Sequence, residues 1–232
     1  MHKKLSMFGS FFRRHFEEPP LSWRLRPKVF DPFDPLNFGG KVLLPSLVLH
    51  DLIQYNVKAP YVFEVSHSEK IFKTSVGVLE FTLETNEIIM PKWVYDQLDL
   101  YDHEYIDLEC VKKEKGTFTK LLPHSSDFLE VQNPKAMLEN CLVNYQVLTV
   151  GDELVLDFRD YGILRFTVHE LESEEGKANS VYIVDVDLSV DFLPPIGYER
   201  KLEKEKKERK KIFYFKGKEK VVSCKDFGLF FN

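Results

Sequence analysis

"VLLPSLVLHDL" occupies residues 42–52, and "IIMPKWVYDQL" occupies residues 88–98, 46 positions further on. Each is a short apolar run, a proline, apolar residues spaced four apart, and a closing leucine. Val42, Leu43 and Leu44 make a run too short for a helix and too apolar for a loop, which predicts a buried strand. Pro45 lacks the N–H that a central ladder would use, but it fits the start of a helix, where that donor has no partner anyway. Val48 with Leu52, and Leu49 with Ile53, are i,i+4 pairs that predict a short helix packed along one side. Ile88, Ile89, Met90, Pro91, Val94 and Leu98 repeat the pattern. A strand-like run follows each copy, "YVFEV" (61–65) and "YIDLECV" (105–111), and "SVGVLEFTL" (75–83) lies between them.

A strand–helix–strand unit written twice is one that cannot bury its apolar face alone. Two interleaved copies closing around one core predict a small barrel, which also removes exposed sheet edges. "SWRLRPKVF" (22–30) adds a strand with Trp23, Leu25 and Val29 on its buried side. "DPFDPLNFGG" (31–40) is turn chemistry, with Gly39 and Gly40 expected to supply positive φ.

From about Thr117 the texture changes. "FTKLLP" (118–123) is another β run. Asn133 and Pro134 are a strong N-cap and first helical residue, and Met137, Leu138, Cys141, Leu142 and Tyr145 line one face of the helix that follows. "QVLTVGDELVLDF" reads strand, Gly-Asp turn, strand, and "ILRFTVHEL" and "SVYIVDVDLSVDF" read as two further alternating strands. The fold class is therefore mainly β with short helices, a barrel followed by a smaller α+β unit. The expected division is 1–20 a flexible arm, 21–120 the barrel, 121–198 the α+β unit, and 199–232 a charged linker and docking tail.

The 232 residues are 44% hydrophobic and carry 20 Phe, enough for a sizeable core. The net charge of −5 argues against a whole-chain nucleic-acid binder. "MHKKLSMFGSFFRRHF" has Arg13 and Arg14 inside any apolar stretch and no small-residue cleavage site, so no secretory signal is expected. No run reaches membrane-spanning length. The three widely spaced cysteines, Cys110, Cys141 and Cys224, make no disulfide framework. These features point to a reducing compartment.

No catalytic or metal site is expected. His103-Glu104 and His169-Glu170 begin like a zinc-protease HExxH motif, but Asp107 and Ser173 stand where the second His is required. "FGGK" lacks the phosphate-loop spacing, and "DFG" (226–228) has no catalytic loop before it. Cys141, on the apolar face of a capped helix, reads as a buried structural thiol. Glu80 with Glu84 could suggest a hydrolase, but no histidine is placed to join them. Asp185, Asp187 and Asp191 alternate as the wet face of an edge strand. "ERKLEKEKKERKK" (199–211) mixes lysine with Glu203, Glu205 and Glu208 and lacks the aromatics that stack bases, so solvated charge is expected. Beyond it, "IFYFKGKEKVVSCKDFGLFFN" places aromatic and aliphatic residues past a polar linker, which suits a docking peptide.

Taken together, "FGGKVLLPSLVLHDL", "GVLEFTLETNEIIMPKWVYDQLDL", "SSDFLEVQNPKAMLENCL", "LTVGDELVL" and "DVDLSVDFLPPIGY" resemble the ubiquitin fusion degradation adaptor family over residues 39–198. The resemblance implies a double-psi β-barrel followed by a roll-like α+β subdomain, similar to the N-terminal domain of the valosin-containing AAA ATPase. It implies no enzyme and no cofactor. Implied instead is an adaptor that binds ubiquitin and polyubiquitin chains and, with a nuclear-protein-localisation partner subunit, recruits substrates to that ATPase for degradation, including ER-associated degradation. Expected localisation is cytoplasmic and nuclear, including the cytosolic face of the endoplasmic reticulum. Neither nucleic acid nor membrane insertion is expected. The rival readings are an adaptor using the basic tail on nucleic acid or membrane, and an unrecognised barrel enzyme. The resemblance assigns no ubiquitin-facing residue. It marks Tyr214, Phe215, Lys216, Gly217 and Lys218 as a partner-docking stretch. Phe215 and Gly217 also resemble the opening of an ATPase-docking motif that continues with Gly and Leu, where this chain has Glu219 and Val222.

Overall fold

A computed structural model describes residues 21–198 of the chain. Its first six strands are β1 (Ser22–Val29), β2 (Lys41–Pro45), β3 (Val62–Ser66), β4 (Lys73–Leu83), β5 (Glu87–Met90) and β6 (Ile106–Val111). Helix α1 (Ser46–Gln54) follows β2, and α2 (Lys92–Gln97) follows β5. The repeated proline joint is built twice with one geometry. Pro45 and Pro91 stand at the N-caps of α1 and α2 with φ,ψ of −60°,142° and −56°,143°. They sit one position earlier than the first helical residue, and Pro45 still closes β2.

The six strands close into a barrel in the order β1-β5-β2-β4-β3-β6. Exchanging β1 with β4, β2 with β5 and β3 with β6 preserves every neighbour pair, carrying β1-β5 onto β4-β2 and β1-β6 onto β4-β3 and leaving β2-β5 and β3-β6 in place. β1 runs parallel to β5, and β2 parallel to β4, as that exchange requires. β2 and β5 meet antiparallel through Leu43 and Ile89, which are 46 positions apart and therefore equivalent. The pseudo-twofold axis passes between them. The fold is thus the double-psi barrel, and its repeat is one strand longer than the sequence pattern shows, because β1 and β4 are also counterparts.

Packing refines three expectations. On α1 only Val48 and Leu52 are buried, while Ile53 is 63% exposed, since so short a helix presents one narrow stripe to the barrel. On β1 the buried side is Leu25 and Pro27 with half-buried Trp23, and Val29 faces out as the strand leaves the barrel. Gly39 is extended at φ −143°, and neither Gly39 nor Gly40 has positive φ. They are small because a methyl on Gly39 would lie 3.0 Å from the Asn144 carbonyl oxygen and one on Gly40 would meet the Tyr145 ring.

The second unit comprises β7 (Gly116–Pro123), α3 (Pro134–Leu142), β8 (Val147–Thr149), β9 (Glu153–Asp157), β10 (Ile163–Ser173), β11 (Gly176–Lys177), β12 (Ser180–Tyr182) and β13 (Ser189–Phe192). Asn133 caps α3, its side chain accepting from the Ala136 N–H, as expected of that residue before Pro134. β10 pairs with β7, β9 and β11, and β13 lies at the edge beside β7. Phe128, Phe158, Phe166 and Phe192 fill this sheet's core with ring separations of 4.7–6.4 Å. "SVYIVDVDLSVDF" is not one strand. A turn with Asp185 at φ 52° separates β12 from β13, so Asp185 and Asp187 lie on a connection and only Asp191 on the edge strand.

The two units meet along a hydrogen-bonded seam. Gly40 N–H donates to the Asn144 carbonyl across the seam at 3.2 Å, while within the barrel the Gly40 carbonyl accepts from Gly77 N–H at 2.9 Å. Gln146 spans the seam, its amide oxygen accepting from Val78 N–H at 3.1 Å and its nitrogen donating to the Tyr61 carbonyl at 3.0 Å. A methyl on Gly40 would lie 2.7 Å from the Tyr145 ring, and one on Gly77 would overlap the Gln146 stem. These glycines permit backbone approach. Beside them Asp152 is buried, accepting from the Thr74 hydroxyl at 2.7 Å and the Gln97 amide at 2.8 Å. Burial pushes its carboxyl up from 3.8 to about 7, with those hydrogen bonds opposing the rise.

Two outcomes are expected. Gly77→Ala destabilises by roughly 1–3 kcal/mol in urea unfolding, because the Gln146 stem must move. For Asp152 the folded state holds its proton to higher pH than the unfolded chain. Stability from this group is greatest below pH 4, falls as pH rises toward about 7, and is flat above. Asp152→Asn removes that slope, so the variant gains on the wild type as pH rises, by more than ~1 kcal/mol at pH 8.

Candidate functional site

The seam leaves a groove on one side of the molecule, of ≈ 560 Å³, where the barrel and second unit diverge. Phe38 and Trp93 line it from the barrel, Val155 and Ile163 from the second unit, and Phe72 adds a third aromatic to the lining. The barrel wall and the floor are held by local hydrogen bonds. Asp34 caps the 3-10 turn Pro35–Phe38, accepting from Leu36 N–H at 2.9 Å, which aims Phe38 inward. Asn37 ties that turn to α2 by accepting from Lys92 N–H at 2.9 Å. Trp93 is held by its indole N–H on the Gly39 carbonyl at 2.7 Å. Gln97 accepts from Glu153 N–H at 2.9 Å while donating to Asp152, so the floor of the groove is part of the seam.

The rim carries charge of both signs. Lys92 and Asp96 are an i,i+4 pair at 2.6 Å, and Glu153 on β9 and Arg165 on β10 complete the charged lining. Among the described residues the groove pairs no nucleophile with a base. What it offers is an apolar recess with a polar rim, the makeup of a surface that accepts another molecule's side chains. Ile163 is 56% exposed and Phe33, just outside, 94% exposed, so part of that apolar area already faces water.

The sequence-marked residues fall elsewhere. Tyr214, Phe215, Lys216, Gly217, Lys218 and Val222 lie outside the described residues. His103 and His169 are exposed, on a positive-φ turn and on β10, and no group of three metal-binding side chains occurs among the described residues. Cys141 is buried, its thiol donating to the Asp157 carbonyl at 3.2 Å, and burial raises its pKa to about 11, as a structural thiol requires. Glu104 is not an idle surface acid. It binds Lys70 at 2.8 Å and accepts from Tyr101 N–H at 2.8 Å, joining two loops at one end of the barrel over buried His67. Sequence reasoning missed the groove residues. The available signal was Ile71 and Phe72, an apolar pair within the otherwise polar "SHSEKIFK".

Comparison with known proteins covers both units. Residues 21–114 match the family described as "Ubiquitin fusion degradation protein UFD1, N-terminal subdomain 1", and residues 115–195 match its "N-terminal subdomain 2". The family boundary falls just before β7, where the second sheet starts. "Ubiquitin fusion degradation protein 1 homolog" of Dictyostelium discoideum is 36% identical over 186 residues, 80% of this chain and 53% of that protein. The Caenorhabditis elegans protein of the same name is 40% identical over 163 residues, covering 70% and 46%. "Ubiquitin recognition factor in ER-associated degradation protein 1" of Homo sapiens is 34% identical over 161 residues, covering 69% and 50%. The chain thus spans about half the length of the curated relatives it matches. With both subdomains present in order, and the duplicated barrel the first one encodes, this chain belongs to the ubiquitin fusion degradation protein UFD1 family.

Proposed function

We propose that the chain is an adaptor of ubiquitin-dependent protein degradation, in which the barrel and second unit recognise ubiquitin on a marked protein. The observation that carries this reading is the unbroken family match across residues 21–195, together with relatives named for ubiquitin recognition. The groove between the two units is the surface we assign to the contact. A single ubiquitin is expected to bind weakly. Two linked ubiquitins engaging one adaptor assembly gain about 10²–10⁴ in avidity, which selects chains over monomers.

The reading extends to the tail. Residues 214–218, with Phe215 and Gly217 as the aromatic–glycine pair, dock the nuclear-protein-localisation partner and the valosin-containing AAA ATPase, which unfolds the delivered substrate. Adding an extended strand to a partner's sheet edge suits that composition. No catalytic step is assigned to this chain. Its place of action is the cytoplasm and nucleus, and the cytosolic face of the endoplasmic reticulum where ER-associated degradation is served. The basic-tail alternative is disfavoured because residues 199–211 interleave lysine with Glu203, Glu205 and Glu208 and hold no aromatic to stack a base, and because the body that carries the tail is acidic. Residues 21–198 hold 29 acidic and 16 basic residues, a net −13 that repels nucleic acid and anionic lipid.

Titration of labelled polyubiquitin against the full chain tests the reading. Saturable binding is expected, and Ile163→Asp, at an exposed groove position, weakens it about tenfold, ~1.4 kcal/mol. No binding at the highest concentration reached, or binding indifferent to Ile163, contradicts the respective parts of the proposal. A chain ending at Tyr198 is expected to keep ubiquitin capture and lose capture of the ATPase and partner subunit.

A further inference from the structure

A second groove of ≈ 560 Å³ lies between α3 and the connection from β12 to β13. Its floor is apolar, with Leu142, Ile183, Leu188 and Val190 half-buried rather than sealed. Its rim is acidic. Glu139 projects from α3, and Asp185 and Asp187 project from the connection, all three exposed. Lys135 is the one cation in the lining, and none of the three acids makes an ion pair among the described residues. β13, which forms one side, is the last strand of its sheet and pairs with β7 alone, so its other edge carries no strand among the described residues.

The chain beyond Tyr198 has the complementary makeup. Residues 199–232 hold 12 basic and 6 acidic residues, a net +6 set against the −13 of residues 21–198. Within it, residues 212–222 read "IFYFKGKEKVV". In an extended chain alternate residues share a side, which would put Ile212, Tyr214, Lys216, Lys218 and Lys220 together. Apolar groups then lead and three cations follow, matching a groove with an apolar floor and an acidic rim.

Reach permits the contact. Ser189 at the groove and Tyr198 are nine residues apart, so the exit point lies within about 30 Å of the groove. The 14 residues from Tyr198 to Ile212 span up to about 46 Å when extended. A tethered segment also arrives at an effective concentration in the millimolar range, so a contact too weak to matter between separate molecules is populated within one.

We propose that residues 212–222 dock intramolecularly in the groove between α3 and the β12–β13 connection. Lys216, Lys218 and Lys220 face Glu139, Asp185 and Asp187, and Ile212 and Tyr214 cover the apolar floor. The segment assigned above to partner docking is then held on its own body until a partner displaces it. This contact does not depend on ubiquitin recognition, which uses the other groove.

The test places a nitroxide on Cys224 of the full chain in a Cys110→Ser, Cys141→Ala background, with unchanged amide positions as the check on folding. Loss of amide signal for residues 138–143 and 183–190 is expected. The loss is relieved by Asp185→Lys with Asp187→Lys, relieved by high salt, and regained when Lys216→Glu, Lys218→Glu and Lys220→Glu are added to the lysine pair. Carbodiimide coupling of the unmodified chain, read by mass spectrometry, should join those lysines to Asp185, Asp187 or Glu139. Signal loss spread over the acidic surface, or absent, overturns the proposal. So does loss seen only when label and isotope sit on different molecules, which would make the occupant a second copy.

Discussion

Everything in the barrel depends on the crossing of β2 and β5 at Leu43 and Ile89. There the two copies of the repeat meet about their pseudo-twofold axis, and each lends a strand to the other's parallel pair. Neither copy can form its hydrogen-bond ladder or cover its apolar face without the other. Closure leaves the barrel no free edge, so its outside is made of strand faces, two short helices and the loops between them. Function must then sit on the exterior or where a second unit is attached.

The attachment is a polar seam rather than a greasy one. Gly40 and Gly77 let the barrel backbone reach Asn144, Tyr145 and Gln146, and the one amide of Gln146 satisfies a barrel donor, Val78 N–H, and a barrel acceptor, the Tyr61 carbonyl. Asp152 is the costly member, a buried carboxyl held by neutral donors with no cation among the described residues beside it. Directional bonds of this kind fix the angle between the units, and the width of the groove beside Trp93 follows from that angle.

Much of the barrel was legible because its signal is local. The proline joint after an apolar triplet appears twice in the sequence and twice in the structure with matching torsions. The equivalence of β1 and β4 was not, since "SWRLRPKV" and "KTSVGVLEFTL" share no pattern and are matched only by their place in the ladder. Gly39 and Gly40 looked like turn residues because a sequence shows permitted torsions but not an approaching chain. Asp152 looked like the polar half of a Gly-Asp turn, and the turn does form, with Gly151 at φ 90°, yet it points the carboxyl inward. The groove was invisible for a related reason. Phe38, Phe72, Trp93 and Ile163 come from four separate segments, and each alone reads as ordinary core or strand.

The picture is of a body with one recess framed by the seam, another beside a sheet edge that carries no strand among the described residues, and a tail sequence of opposite charge. The two repeats are mutually obligatory, so the barrel wall that frames the interdomain groove opens only when the whole barrel opens. Native-state hydrogen exchange at increasing urea measures this directly. The amides of β2 and β5, and of their counterparts β1 and β4, should merge into a single global opening with one free energy and one denaturant slope. A separate, lower-energy opening confined to residues 73–111 would show that one copy unfolds without the other and would contradict the account.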